Sequence, residues 1–322
     1  MLYFFTKREV IWMPTEWIIL IVLLSLVTLF FLLTFIFYYF VLFIADKKIY
    51  KNDEFEIPPG KAYLEHQELL ISYMKDVRQM SYQEFQIKSF DNLNLVGRYY
   101  ECEAGRPIEI MFHGYRGNSE RDLCGGVKRA FALKHNVLLV DQRASSKSDG
   151  RTTTFGVNER KDALKWAEFI SEKFPNNKII LTGVSMGAAT VILASELDLP
   201  DNVIGVLADC SYTSQKDIIK TIIKTLKLPT WLVYPFIKWG AKIYGRFNLE
   251  ERAPIDAIKN AKVKIIIFHG EDDSLVPCYM GKELYEANQN NHLVLMPKAG
   301  HCLCYLADSE LYLNEMRKFF NE

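Results

Sequence analysis

The sequence has no excess of charge of either sign, with 39 basic and 39 acidic side chains among its 322 residues. Non-specific nucleic-acid binding depends on uncompensated lysine and arginine, so this balance argues against a nucleic-acid partner. Glycine and proline are also sparse, at 17 and 11 residues, and no internal repeat is visible. With 49% apolar and 13% aromatic residues, a disordered or collagen-like chain is excluded.

A long apolar run lies near the start of the chain. Residues 17–44 form 28 consecutive positions without a charged residue, proline or glycine, which exceeds the ~20 residues that a helix needs to cross a bilayer. A signal peptide would have an apolar region of only ~7–15 residues. Aromatic residues suited to the membrane interface stand near both ends: Trp12, Trp17, Tyr38, Tyr39 and Tyr50. We therefore predict an uncleaved, single-pass anchor that makes the lipid bilayer a partner of this protein.

The chain is predicted to divide into three parts. Residues 1–45 are the membrane anchor, residues 46–65 are a polar linker with a Pro-Pro-Gly triplet, and residues 66–322 are one folded domain. Two basic residues precede the apolar run and three follow it closely. The positive-inside rule counts these flanking charges. Because they are almost equally distributed on the two sides, the orientation of the domain in the membrane stays open.

The six cysteines permit disulfide bonds by number alone. A domain of this size does not need them for stability, however. Cys302 and Cys304 form a C-x-C pair, but no second pair or histidine cluster stands at zinc-binding spacing. We therefore expect free thiols and no metal ion, and no organic cofactor has a recognisable motif.

Short apolar or β-branched runs recur along the domain and alternate with helical stretches through most of it. This alternation predicts a mostly parallel sheet with helices on both faces. Ligands of such sheets bind beyond the carboxyl ends of the strands, so the residues that follow each strand are the ones to examine. The predicted strands are 82–90, 93–100, 108–112, 136–140, 178–182, 203–208, 264–268 and 292–296.

A G-x-S-x-G pattern at residues 183–187 follows the predicted strand 178–182 and precedes a helix start rich in small residues. In this setting a sharp turn projects the serine hydroxyl, and the glycines let strand and helix approach closely. The pattern alone would occur by chance in roughly one chain in ten of this length. We interpret Ser185 as a nucleophile; the alternative is a serine that caps a helix.

A second glycine-containing loop, residues 113–118, follows the predicted strand 108–112. Such a loop can direct a backbone N–H towards an oxyanion that develops during acyl transfer. The usual second donor is the N–H of the residue after the nucleophile. We predict that the N–H groups of Tyr115 and Met186 form this pair; the alternative for the loop is a simple turn.

The nucleophile requires a general base, and position along the chain separates the six histidines. His301 alone follows a strand at the correct edge of the sheet and comes after the other partners. The others precede the sheet, start a strand, or end a strand ahead of a glycine: His66, His113, His135, His269 and His292. We predict His301 as the base.

A carboxylate must hold the tautomer of the base and stabilise the imidazolium. The loop after the seventh predicted strand offers Glu271, Asp272 and Asp273, and Asp209 follows the sixth. We favour Asp273, with Asp209 as the alternative. Turn capping or a place in the pocket wall would equally explain Asp272 and Asp209.

The order Ser185, Asp273, His301 resembles the α/β-hydrolase fold family over about residues 80–322. H-G-x-x-D-x-x-V-P at 269–277 carries the triad acid of that family where Asp273 stands. After Asp141-Gln142-Arg143, relatives usually continue Gly-His-Gly-x-Ser, whereas this chain has Ala-Ser-Ser-Lys-Ser at 144–148. More narrowly, the chain looks like membrane-anchored bacterial serine hydrolases of the serine-aminopeptidase-like or lysophospholipase-like grouping. The resemblance implies an eight-stranded, mostly parallel sheet with a helical lid insertion.

The regular alternation breaks at residues 211–260, where the resembled family inserts a lid. Isoleucines recur there at helical spacing and are followed by a segment rich in aromatic residues. We expect a lid that lines an acyl pocket. The alternative is a core helix followed by a surface segment. The lid candidates for substrate binding are Trp231, Phe236 and Trp239.

Together these features predict a serine hydrolase that cleaves carboxylic esters through an acyl-enzyme. The apolar lid and the nearby bilayer favour small-molecule or lipid-like esters with a hydrophobic acyl group. A serine peptidase is an alternative within the same chemistry. A non-catalytic member of the fold that binds lipid or a protein partner is an alternative outside it, because fold alone does not choose among functions.

Overall fold

The computed structural model describes residues 13–47 and 54–321. Within these residues one sheet contains the strands Gln83–Lys88 (β1), Asn94–Tyr100 (β2), Ile108–Phe112 (β3), Asn136–Asp141 (β4), Ile179–Val184 (β5), Val203–Asp209 (β6), Ile265–Gly270 (β7) and His292–Met296 (β8). The helices are Thr15–Val41 (α1), Lys61–Leu64 (α2), Gln67–Gln79 (α3), Ser119–Ala132 (α4), Glu159–Lys173 (α5), Met186–Ala194 (α6), Gln215–Thr225 (α7), Thr230–Ile243 (α8), Pro254–Ala257 (α9), Tyr279–Ala287 (α10), Cys304–Ala307 (α11) and Ser309–Phe320 (α12).

The strand order is β1-β2-β4-β3-β5-β6-β7-β8, and this arrangement confirms the predicted mostly parallel, eight-stranded sheet. β1 and β2 pair antiparallel and β2 joins β4 antiparallel, whereas all other neighbours are parallel. Side chains of α5, α6 and α10 pack on one face, and those of α3, α4 and α12 pack on the other. Every residue of β3, β4 and β7 is buried, as expected of parallel strands covered on both faces.

A buried ionic cluster lies in the middle of the sheet beneath α4. Glu109 of β3 is fully buried and pairs with the guanidinium of Arg129. Nδ1 of His135 lies 2.8 Å from Glu109 Oε1, and the Thr182 hydroxyl donates to Oε2 at 2.8 Å. Burial raises the pKa of Glu109, but Arg129 and His135 lower it by a larger amount. The net effect is a pKa of about 2.

We expect Glu109→Gln to lower the free energy of unfolding by about 3–5 kcal/mol, because Arg129 would remain charged, buried and unpaired. Since the folded-state pKa of Glu109 lies below its unfolded value, its stabilisation is present above that value and is lost as the pH falls towards 2. Urea unfolding measures both effects. Glu84→Gln is the control, since its pair with Lys147 is partly exposed and should contribute at most about 1 kcal/mol. An equal loss in both variants would contradict the prediction.

Helix α1 has two distinct halves. By length and composition it is apolar enough to cross a membrane. Its side chains at residues 15–29 are all exposed. The later turns pack on α8, where Thr34 and Tyr38 are buried, and a Cβ on Gly240 would lie only 2.7 Å from the carbonyl oxygen of Thr34. The absence of a side chain at Gly240 therefore permits the close crossing of the two helices.

Candidate active site

Ser185 occupies a sharp turn between β5 and α6. Its backbone has φ 55° and ψ −116°, a strained conformation for a residue with a side chain. The flanking glycines make the turn possible, because a Cβ on Gly183 would lie 2.2 Å from the backbone of Gly187, and one on Gly187 would lie 2.0 Å from the carbonyl oxygen of Phe112. The Ser185 N–H donates to the Asp209 carbonyl at 2.8 Å and holds the turn against β6.

Ser185, His301 and Asp273 lie together in one hydrogen-bonded line. Nε2 of His301 is 2.9 Å from Ser185 Oγ, and its Nδ1 is 2.7 Å from Asp273 Oδ2. An ionised carboxylate only accepts hydrogen bonds, so Nδ1 carries the ring proton and Nε2 is free to accept from the serine hydroxyl. This arrangement provides a nucleophile, a base and an orienting acid.

The orienting carboxylate is held in place from both sides. The other oxygen of Asp273, Oδ1, accepts the N–H groups of Leu275 at 2.9 Å and Val276 at 2.8 Å. The alternative acid, Asp209, accepts instead from the Tyr312 hydroxyl at 3.1 Å. Burial raises the pKa of Asp209 well above its usual value, which favours a neutral carboxyl group there. The geometry therefore favours Asp273 as the partner of His301.

The surroundings of His301 favour its protonated form. Burial lowers the pKa of His301, but the hydrogen bond to Asp273 and the nearby Cys210 thiol raise it more, so that the net shift is upward. An imidazole that acts as a base must be neutral at the start of the reaction. Activity should therefore be lost on acidification at a higher pH than a free imidazole would require.

We expect Asp273→Asn to lower kcat by about 10³–10⁴-fold, because the imidazole loses its orienting acceptor. The acid limb of the pH profile of its residual kcat/KM should also lie at a lower pH than in the wild type, because the carboxylate that raises the pKa of His301 is gone. A pH profile of kcat/KM measures both effects. Asp209→Asn is the matched control and should keep the acid limb in place; a shift in this control instead would favour the alternative acid.

The two predicted oxyanion donors belong to the loop after β3 and to the first turn of α6. Within the described part of the chain, the backbone N–H groups of Tyr115 and Met186 make no hydrogen bond, so both are available to a bound oxyanion. A Cβ on Gly114 would lie 3.6 Å from the Cβ of Ser185, which shows how closely this loop approaches the nucleophile.

The end of α1 contacts residues 113–118, the loop that is predicted to supply an oxyanion donor and is called the oxyanion loop below. No pattern in the sequence predicts this contact. The Tyr115 hydroxyl donates to the Val41 carbonyl at 2.6 Å. The Arg116 guanidinium donates to the carbonyls of Phe40 at 2.7 Å and Phe43 at 3.2 Å. Phe40 and Val41 belong to the last turn of α1, whose carbonyls have no partner within the helix, so the loop satisfies groups that would otherwise be orphaned.

We expect Tyr115→Phe to lower kcat about fivefold with little change in KM, because it removes one hydrogen bond worth about 1 kcal/mol from the oxyanion loop. Tyr244→Phe is the matched control: its hydroxyl also donates to a carbonyl of α1, that of Phe31 at 2.9 Å, but lies away from the loop. Steady-state kinetics of the two variants test the contact. Equal kcat values in both would contradict it.

A cavity of about 420 Å³ opens beside Ser185 and His301. Its walls are mostly apolar and come from α4, from residues 301–306 and from the segment 56–63 before α3. Tyr63 of that segment donates its hydroxyl to the His301 carbonyl at 2.7 Å. The described part of the predicted linker is therefore in direct contact with the site. The chief apolar lining residues are Leu70, Met111, Leu123, Leu275, Leu303 and Leu306.

The prediction that a lid at residues 211–260 lines the acyl pocket is wrong for the cavity beside Ser185. None of the lining residues of the cavity comes from 211–260. Trp231 and Trp239 are exposed, and Phe236 stacks on Phe37 of α1 at a ring separation of 6.0 Å. An apolar face at helical spacing requires a partner, but the pattern does not specify which one. Here the partner of α8 is α1 rather than an acyl chain.

Three thiols lie beside the catalytic candidates. Cys210 Sγ is 3.8 Å from Cys304 Sγ and accepts the Cys302 N–H at 3.3 Å. Ligand atoms of Cys210, His301 and Cys302 lie within 4.8 Å of one another, so these residues are placed to hold a metal ion. Such an ion would withdraw the His301 imidazole from base chemistry. Metal binding by this cluster would therefore compete with the role of His301 as a base.

Comparison with known proteins agrees with this architecture. A family model described as the alpha/beta hydrolase fold matches residues 110–234, which include the end of β3, the loop that follows it and the turn at Ser185. The esterase Pf2001 of Pyrococcus furiosus superposes with a TM-score of 0.61 at 21% identity, over 83% of this chain and 98% of its own. The chain therefore has the α/β-hydrolase fold.

Two curated relatives are also similar. An uncharacterized protein of Bacillus subtilis, YqkD, is 25% identical over 192 residues, which cover 59% of this chain and 63% of the relative. The alpha/beta hydrolase domain-containing protein WAV2 of Arabidopsis thaliana is 24% identical over 259 residues, which cover 75% of this chain and 79% of the relative. The aligned region thus spans less than two thirds of the Bacillus protein.

Proposed function

We propose that this protein is a serine hydrolase that cleaves carboxylic esters. Ser185 Oγ attacks the ester carbonyl while His301 Nε2 takes its proton, and the N–H groups of Tyr115 and Met186 stabilise the tetrahedral oxyanion. His301 then returns the proton to the departing alcohol. Water activated by the same imidazole hydrolyses the acyl-enzyme and releases the acid.

One observation carries this proposal: the serine, imidazole and carboxylate stand in line at 2.9 Å and 2.7 Å at the mouth of a cavity. A serine that only capped a helix would not need a strained backbone, nor a histidine at its hydroxyl. The likeness to an esterase of the same fold supports ester chemistry in general.

The cavity supports a hydrophobic acyl group. Its volume of about 420 Å³ lies within the range of small-molecule sites, and such sites are mainly apolar with a few placed polar groups. An acyl chain could lie among the leucines of its wall with the ester carbonyl at Ser185. We place the protein in a membrane through α1, which would bring lipid-like esters close to this cavity.

The proposal is tested by assaying p-nitrophenyl esters of increasing acyl length with the full-length chain in detergent micelles. The full chain is needed because α1 and residues 56–63 contact the site. We expect turnover that is greatest for medium or long acyl chains and falls by at least about 10³-fold in Ser185→Ala. Equal rates in wild type and variant would overturn the proposal. Ser185-dependent cleavage of peptides alone would replace the ester with a peptide bond.

Substitution of Gly125 tests the acyl site directly. Gly125 of α4 lines the cavity, and a Cβ there would meet nothing within 4 Å. Gly125→Leu should therefore fill part of the cavity without a clash. We expect kcat/KM for long-chain esters to fall by about tenfold or more, with acetyl ester hydrolysis little changed. Gly125→Ala is the control, and a loss on every ester in both variants would contradict this placement of the acyl chain.

A further inference from the structure

The α7–α8 hairpin carries a large exposed apolar surface that the proposed catalysis does not use. Trp231 is 77% exposed, Leu226 is 64% exposed and Trp239 is 45% exposed. Leu228 and Leu232 beside them are also exposed. Clusters of large exposed apolar side chains on a folded protein mark an interaction surface. These five residues are called the hairpin face below.

The hairpin is also strongly basic, although the whole chain has no net charge. Residues 215–244 contain six lysines and only one acidic residue, Asp217. Five of the lysines are exposed, at positions 216, 224, 227, 238 and 242. The ammonium of Lys242 lies 5.3 Å from the centre of the Trp239 ring, so basic and aromatic groups adjoin. Apolar residues bordered by lysines are typical of helices that lie at an anionic membrane surface.

The length of α1 places the hairpin at the level of the bilayer. The hydrocarbon core is ~30 Å thick and a helix rises ~1.5 Å per residue, so the exposed turns at residues 17–29 cover only about 20 Å. Glu16 precedes them, and a charged side chain is costly in hydrocarbon. The hydrocarbon must therefore extend in the other direction, over the turns of α1 that pack on α8.

The hairpin is joined to those turns without a break. Phe30 of α1 lies 6.3 Å from the Trp239 ring and 6.0 Å from the Phe236 ring. The hydroxyl of Tyr244 donates to the carbonyl of Phe31. A bilayer that surrounds α1 down to this level meets Trp239 at the same depth. The hairpin face is thus continuous with the surface that α1 presents to lipid.

We infer that the α7–α8 hairpin is a second membrane contact, whose hairpin face enters the bilayer interface while its lysines bind anionic lipid headgroups. This inference rests on the proposed membrane placement of α1. Its consequence is a catalytic domain that is fixed against the membrane at two places rather than tethered by one helix. The occupant of the apolar face is the lipid bilayer itself.

Tryptophan quenching by lipids brominated on their acyl chains tests the inference. The full-length chain is reconstituted into phosphatidylcholine vesicles that contain phosphatidylglycerol, with and without the brominated lipid. Subtracting the emission of the double variant Trp231→Phe/Trp239→Phe from that of the wild type isolates these two residues. The same subtraction with Trp17→Phe isolates the span. The thermal unfolding midpoint checks that the variants are folded.

We expect brominated lipid to quench the emission of Trp231 and Trp239 by about half or more, as for an aromatic residue at the acyl boundary. Lys224→Gln/Lys227→Gln should reduce that quenching in phosphatidylglycerol vesicles but not in phosphatidylcholine alone. Quenching of Trp17 without quenching of the hairpin pair would overturn the inference and leave the anchor intact. Absence of quenching at Trp17 as well would overturn the membrane placement on which it rests, whereas ester turnover tests the catalytic proposal separately.

Discussion

The turn between β5 and α6 is the constraint on which the site depends. Its backbone passes so close to its neighbours that a single Cβ on Gly187 would overlap the carbonyl of Phe112. In this turn the Ser185 hydroxyl lies 2.9 Å from His301 Nε2, and the N–H of Met186 follows directly in the chain. The sheet supplies the rigidity, because β3, β5 and β6 are adjacent and each contributes to the turn or to its hydrogen bonds.

The apolar helix α1 is in direct contact with the candidate site. Helices end with carbonyl groups that lack partners, and here the oxyanion loop supplies them through Tyr115 and Arg116. The segment that follows then lies along the cavity and contacts the backbone of His301 through Tyr63. The position of α1 and the conformation of the oxyanion loop therefore depend on the same hydrogen bonds.

The sequence was sufficient to predict the fold and to select the residues of the candidate site, but not the segments that surround the cavity. Parallel strands buried on both faces appear as uninterrupted apolar runs. The bounds of β3 and β8 were predicted as observed, and those of the other strands within a few residues. Ser185, Asp273 and His301 could be chosen because each follows a strand at one edge of the sheet. The α1 contacts use backbone carbonyls, which leave no pattern in the sequence. The prediction that Trp231 and Trp239 bind substrate was wrong for a related reason. An apolar helix face indicates that a partner exists but not which one.

The most direct test of the catalytic assignment is covalent labelling of the full-length chain with a fluorophosphonate, followed by mass spectrometry of its peptides. A phosphonate adduct forms only on a serine that is activated by a neighbouring base. The account predicts one adduct per chain, on the peptide that contains Ser185, and none in His301→Ala. An adduct on a different serine, or labelling that persists without His301, would contradict it.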